Sequence, residues 1–187
     1  MLVCIVGRSG SGKTTMSRLL KDRENFKEIV SYTTRKKRAG EVDGIDYNFV
    51  GSNEFTQLYK DGDILEYSLY DSNYYGTPMH DYTKEDWVNV VDIAGVKNLK
   101  RAMEGKGTIV TIGLVVNRTT SFNRCNERDT FKHIHKLSSR VKKDDVIFED
   151  MSMVDHLVDA EQSIEEVYGE IEKIIHRARE LEESGDM

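Results

Sequence analysis

Near the start of the chain an apolar run, Leu2-Val3-Cys4-Ile5-Val6, breaks into Gly7-Arg8-Ser9-Gly10-Ser11-Gly12-Lys13-Thr14. Every fixed position of the pattern G-x-x-x-x-G-K-[ST] is filled. These residue types at this spacing bind nucleotide phosphates: the glycines let backbone N–H groups converge on phosphate oxygens, Lys13 adds a mobile positive charge, and the Thr14 hydroxyl can sit on a magnesium ion. A second group of candidates follows. Arg35 and Arg38 stand three apart, near enough to grip one phosphate where the chain curves, and the planar fork of arginine bonds phosphate oxygens in pairs. The hydroxyls of Tyr47 and Tyr75 can complete such a shell, and Glu66 is a single carboxylate in an otherwise apolar and aromatic run.

These side chains need a scaffold, and the pattern of the chain supplies one. The stretch from Thr15 to Arg23 reads as a helix that points its positive end at the bound anion, so strand, loop and helix follow in the required order. Strand-like runs at 2–6, 88–93, 108–116 and 156–159 alternate with helical patterns at 13–23, 95–104, 138–150 and 162–182. Such alternation predicts an α/β fold, a parallel sheet flanked by helices. Ile164, Val167, Ile171, Ile174 and Ile175 have the spacing of an amphipathic helix packed on that sheet. Residues 31–86 break the alternation with most of the chain's tyrosines, several glycines and short alternating runs, and read as a small β-rich inserted lobe. A second insertion, polar and basic, spans about 118–140. The chain is therefore read as one domain over 1–187, with a core of 1–30, 87–117 and 141–187, a lobe of 31–86 and a lid of 118–140.

With 27 Lys and Arg against 33 Asp and Glu, the formal net charge is −6, which disfavours general nucleic-acid binding. Basic surface is local, at Arg35–Arg38 and from Arg118 to Lys143. Cys4 and Cys125 form no disulfide framework and lack metal-ligand spacing, which suits a reducing compartment. His133 and His135 have no acidic or cysteine partner at zinc-like spacing. No apolar run approaches the ~20 residues needed to cross a bilayer, and the N-terminus enters the first strand without a signal region. A soluble, cytoplasmic protein without membrane partners is expected, either a monomer or a homodimer.

The lobe opens with Ser31-Tyr32-Thr33-Thr34-Arg35-Lys36-Lys37-Arg38-Ala39-Gly40-Glu41-Val42-Asp43-Gly44-Ile45-Asp46-Tyr47-Asn48-Phe49-Val50. This stretch resembles the guanylate kinase signature S-x-T-T-R-x-x-R-x-G-E-x-x-G-x-x-Y-x-F, and Phe55, Gly62, Leu65-Glu66-Tyr67 and Tyr75-Gly76-Thr77-Pro78 follow in the family's order. The likeness is firm to about residue 100 and thinner beyond. It implies ATP phosphates on residues 7–15, Thr15 included, and GMP or dGMP under the lobe, with its phosphate on Arg35, Arg38, Tyr47 and Tyr75. Guanine alone among the common bases presents two adjacent donors, N1–H and the exocyclic amine, so the Glu66 carboxylate can accept both. By resemblance, Ser31 and Thr77 supply the remaining contacts to the base.

Two regions depart from the family pattern. Where the family strand ends D-x-D with a Gln before the glycine, this chain has Val90 for the first aspartate, Asp92 for the second and Ala94 for the Gln. Asp92 is expected to orient the acceptor, to hold magnesium through water, or to cap the next helix. In the lid, Arg124 and Arg128 match R-x-x-x-R, Arg140 follows twelve residues on, and Asn117-Arg118-Thr119 replaces Pro-Pro-Ser. These arginines are expected to close on the migrating phosphoryl group beside Lys13. Asp159 falls where the family places an Asn near adenine. The implied reaction is ATP plus GMP or dGMP to ADP plus GDP or dGDP. The alternatives are a nucleoside monophosphate kinase with another or broader acceptor, and an inactive guanylate-kinase-like interaction module.

Overall fold

All five residues of β1 (Leu2–Val6) are buried, as befits a strand covered on both faces. The computed structural model describes residues 1–128 and 142–184. β1 lies between β7 (Trp87–Val90) and β8 (Ile109–Val115), and β2 (Lys27–Glu28) and β9 (His156–Asp159) complete a five-stranded parallel sheet of order β2-β7-β1-β8-β9. Alternate side chains feed two cores. Val3, Ile5 and Val88 pack with Met16 and Leu20 of α1 (Lys13–Glu24) and with Val167, Ile171 and Ile175 of α6 (Ile164–Ser184). Leu2 and Cys4 face the other way, against Leu99 and Met103 of α3 (Ile93–Met103). Each such fully buried aliphatic side chain contributes roughly 1.5–3 kcal/mol.

Next to β1 the chain order reverses, β7 on one side and β8 on the other, and at such a switch point a crevice opens beyond the carboxyl ends of the strands. Residues 7–12 fill the β1 end of it. The strand predicted over 88–93 stops at Val90, because the Asp92 side chain accepts from the Gly95 N–H (2.7 Å) and starts α3 there. At 118–128, expected to be a polar insertion, stands α4 (Arg118–Arg128). The helical pattern at 138–150 appears as α5 (142–147), and the rest of the lid lies outside the described residues. No helix among them is long and apolar enough to cross a membrane.

The second sheet, of order β4-β3-β6-β5, is formed within residues 31–86 by β3 (Tyr32–Thr33), β4 (Asn48–Phe49), β5 (Ile64–Tyr70) and β6 (Asn73–Pro78). β5 and β6 form an antiparallel hairpin whose turn residues, Asp71 and Ser72, are both left-handed (φ 48° and 61°). Sequence periodicity did not show α2 (Ser52–Asp61), a short helix that buries a single side chain, Phe55, and stacks it on Tyr74 at 5.4 Å. Its end is set by Gly62, in the left-handed region at φ 83°, whose N–H closes on the carbonyls of Leu58 and Tyr59.

Gly76 lets α2 sit close on the hairpin: a Cβ there would meet Phe55 Cζ and Ile64 Cγ2, each at 2.9 Å. Gly76→Ala is expected to cost roughly 1–3 kcal/mol of stability through overpacking. Urea midpoints of the two proteins test this, and an unchanged midpoint would refute the close-approach account.

Candidate active site

The loop between β1 and α1 can form only because bulk is missing at two points. A Cβ on Gly7 (φ 152°) would lie 2.6 Å from the Leu114 carbonyl and 2.7 Å from Ser11 Oγ; one on Gly10 (φ 75°) would lie 2.8 Å from the Ser121 carbonyl. The second contact shows what covers the loop: the inner face of α4, where the Ser121 hydroxyl donates to Ser9 O (2.7 Å) and Cys125 is fully buried. Cys125, placed by sequence in a polar segment, is thus core. Lys13 Nζ reaches back over the loop to Gly7 O (2.6 Å) and Arg8 O (2.9 Å). Ser11 Oγ is buried with no hydrogen-bond partner among the described residues. An anion seated in the loop would give it one.

A cleft of about 940 Å³ joins this loop to the second sheet. On its donor side lie Gly7, Ser9, Gly10, Ser11, Gly12, Lys13, Thr14, Thr15 and Arg124. Arg124 is held on the Ala160 carbonyl (3.0 Å). Arg8 is not among the cleft-lining residues, and its guanidinium pairs with Asp145 at 2.8 Å, which leaves its backbone for the phosphate site. Asp159 is exposed and accepts from the Glu161 N–H (3.0 Å), while its neighbour Ala160 lines the wall. The Arg128 side chain and Arg140 lie outside what the structure describes.

Thr14, whose hydroxyl is a hard oxygen donor, lines the cleft at the start of α1. Among the described residues the only cluster of metal-binding side chains is Glu24, Glu172 and His176, away from the cleft. The donor set therefore fits a magnesium ion held by one protein hydroxyl, with phosphate oxygens and water for the remainder.

On the acceptor side stand Ser31, Arg35, Arg38, Tyr47, Glu66, Tyr75, Thr77 and Asp92. Arg35 forms a two-pronged pair with Glu41 (2.8 and 3.0 Å), and Glu41 also accepts from the Arg38 N–H (2.7 Å). The guanidinium lies over the Tyr47 and Phe49 rings, 5.2 and 5.5 Å from their centroids. Glu41 is thus the buckle of the R-x-x-R-x-G-E stretch, holding one arginine side chain and the backbone of the next. Burial pushes the Tyr47 hydroxyl up, so it stays a donor at neutral pH. The Asp92 carboxylate is committed on both oxygens, to the Gly95 N–H and to the Ser68 hydroxyl (3.1 Å). These bonds make it the cap of α3, and Asp92 lines the cleft as well.

Glu66 is only 8 % exposed. Thr77 donates to its Oε1 (2.5 Å), while Oε2 has no hydrogen-bond partner among the described residues. Burial pushes this carboxyl up to about 7; the Thr77 hydrogen bond opposes the rise and the nearby Asp92 charge adds to it.

A model of the guanylate kinase family matches residues 1–178. The chain belongs to the guanylate kinase family. Relatives include a guanylate kinase of Oceanobacillus iheyensis, 44% identical over 94 residues, which are 50% of this chain and 45% of that one. Another, from Enterococcus faecalis, is 39% identical over 107 residues, 54% of this chain and 52% of the relative. The chain thus spans about half the length of the curated relatives it matches. The fold is that of a guanylate kinase crystal structure from Anaplasma phagocytophilum, with a TM-score of 0.72 over 95% of this chain and 85% of that one at 23% identity.

Within this guanylate kinase fold, sequence reasoning passed over two buried polar residues. Asp144 of α5 is fully buried and accepts from the Ser9 N–H (2.8 Å) and from the Tyr70 hydroxyl, bridging the phosphate loop to the hairpin tip. Asn89 bonds to both Ser31 and Thr77. Its signal was visible, an amide amid apolar residues in Trp87–Val91; Asp144 sits in a charged run that looks like solvated surface.

Because the folded-state pKa of Glu66 lies above its ordinary value, the protonated form favours folding. That contribution is complete below about pH 4.5 and is lost as pH rises through 7, a change on the order of 3 kcal/mol. Glu66→Gln lacks it. Urea unfolding at pH 5 and pH 8 should show the wild type losing stability relative to Glu66→Gln across that interval; parallel pH profiles would contradict it.

Proposed function

We propose that this chain is a guanylate kinase that transfers the γ-phosphoryl group of ATP to GMP or dGMP. One observation carries the reading: a phosphate-binding loop shares a cleft with a buried carboxylate, Glu66, one of whose oxygens has no hydrogen-bond partner among the described residues. In this reading the ATP phosphates lie on the loop amides and Lys13. The acceptor phosphate meets Arg35, Arg38, Tyr47 and Tyr75, and guanine gives its two adjacent N–H donors to Glu66. Adenine would turn a lone pair toward that carboxylate and be repelled.

No protein nucleophile is needed. The acceptor's phosphate oxygen attacks the γ-phosphorus, a P–O bond forms as the bond to the β-phosphate oxygen breaks, and ADP leaves with that electron pair. The chain contributes position and charge: Lys13, Arg124, Arg128 and Arg140 neutralise the migrating group, and the lobe and lid exclude water. Magnesium, held by Thr14 and the phosphates, would supply further charge neutralisation.

Initial rates over GMP, dGMP, AMP, CMP, dTMP and UMP test the acceptor; guanine nucleotides are expected to lead by orders of magnitude, and equal rates on AMP would defeat the assignment. Lys13→Ala is expected to lower kcat by ~10²-fold or more with an unchanged circular dichroism spectrum. A near wild-type kcat would remove Lys13 from the reaction.

A further inference from the structure

Asn89 is 1 % exposed in the middle of β7, opposite Cys4 of β1, and its flanking residues Val88 and Val90 are apolar. A buried amide is destabilising unless its hydrogen bonds are made, so this position is not neutral packing. Its bonds are made with two residues of the acceptor pocket. The Ser31 hydroxyl donates to Asn89 Oδ1 (3.3 Å), and Asn89 Nδ2 donates to Thr77 Oγ1 (3.0 Å).

The direction of every bond in this chain follows from its far end. A hydroxyl has one hydrogen and two lone pairs and can face a ligand either way. In its ionised form Glu66 can only accept, so the Thr77 hydrogen then goes to Glu66 Oε1 (2.5 Å). Thr77 Oγ1 must then receive its other bond, and only the NH₂ of Asn89 can supply it. That turns Asn89 Oδ1 to Ser31 and draws the Ser31 hydrogen inward. With both hydroxyl hydrogens committed, Ser31 and Thr77 offer the cleft lone pairs alone.

We propose that Asn89 is a specificity-determining positioning residue, which orients the Ser31 and Thr77 hydroxyls so that the acceptor pocket presents only hydrogen-bond acceptors to the base. The proposal rests on the acceptor reading given above and deepens it. An all-acceptor face matches a base edge that carries a ring N–H beside an exocyclic amine, and it penalises the same 6-oxopurine without the amine. The quantity under the control of Asn89 is therefore the preference for GMP over IMP.

Asn89→Asp keeps the shape and can only accept, so it would still draw both hydroxyl hydrogens away from the cleft and leave the all-acceptor face in place. Asn89→Leu suits the apolar strand and removes the donor without adding charge. Steady-state kinetics of wild type, both variants and Glu66→Gln, with GMP and with IMP, decide the matter once circular dichroism has shown folding. The ratio of kcat/KM for GMP to that for IMP should fall about threefold or more in Asn89→Leu, which frees the Ser31 hydrogen to turn to the cleft, and stay within twofold of wild type in Asn89→Asp. The loss should fall in KM for GMP, with KM for ATP within twofold of wild type, a split that general loosening of the fold would not give. Should Asn89→Asp fail to fold, Asn89→Leu decides alone. A ratio within twofold of wild type in folded Asn89→Leu overturns the role of Asn89, as does a wild type with no preference for GMP over IMP. Failure of the acceptor reading looks different: Glu66→Gln would keep the wild-type KM for GMP.

Discussion

The structure depends on a close approach of backbone to backbone around residues 7–12. β8 brings the Leu114 carbonyl to where a Gly7 side chain would start, and α4 brings the Ser121 carbonyl to where a Gly10 side chain would start. Neither strand order nor helix packing could be kept with bulk at these points. The consequence reaches beyond the loop. Because α4 sits directly on Ser9 and Gly10, Arg124 is carried to the cleft wall by a helix already anchored in the core, and α5 is held to the same loop through Asp144.

The acceptor half solves a different problem, that of keeping charge unneutralised in a dry place. Arg35 is steadied by Glu41 and by two aromatic rings. Glu66 has no such cationic partner in any described contact; the Thr77 hydroxyl stabilises its carboxylate without cancelling the charge, and burial raises its affinity for a proton. The hydrogen-bonded chain from Ser31 through Asn89 and Thr77 to Glu66 crosses from one sheet to the other. The orientation of the pocket's hydroxyls is thereby tied to a strand of the rigid core.

Features that reside in a short stretch of chain were legible in the sequence: the phosphate loop, the strand before it, the helix after it, and the period of Ile164–Ile175. The phosphate and base candidates from Ser31 to Thr77 could be named because they fall in one ordered stretch, and the structure does bring them to one cleft. What could not be read depends on distant partners. Arg8 fits the loop pattern, yet Asp145, far along the chain, draws its side chain away. That Asp92 caps α3 shows only once Gly95 N and Ser68 are seen around it. α2 hides because it is a short helix with one buried side chain, lying between short strand-like runs that make the whole stretch read as β. Asn89 was an anomaly in plain view, whose meaning lay in Ser31 and Thr77, residues of the other sheet.

Both cysteines are buried to the point of zero exposure, Cys4 beneath α3 and Cys125 between α4 and the phosphate loop, and burial drives the Cys4 thiol further from ionisation. Thiolate is the reactive form, so the folded chain shields its sulfur from oxidants and alkylating reagents alike. The two sites open by different routes, one through the central sheet and the other through the seam between α4 and the loop. A thiol reagent would thus keep separate time for the two, with Cys4 marking loss of the whole fold and Cys125 the parting of that seam.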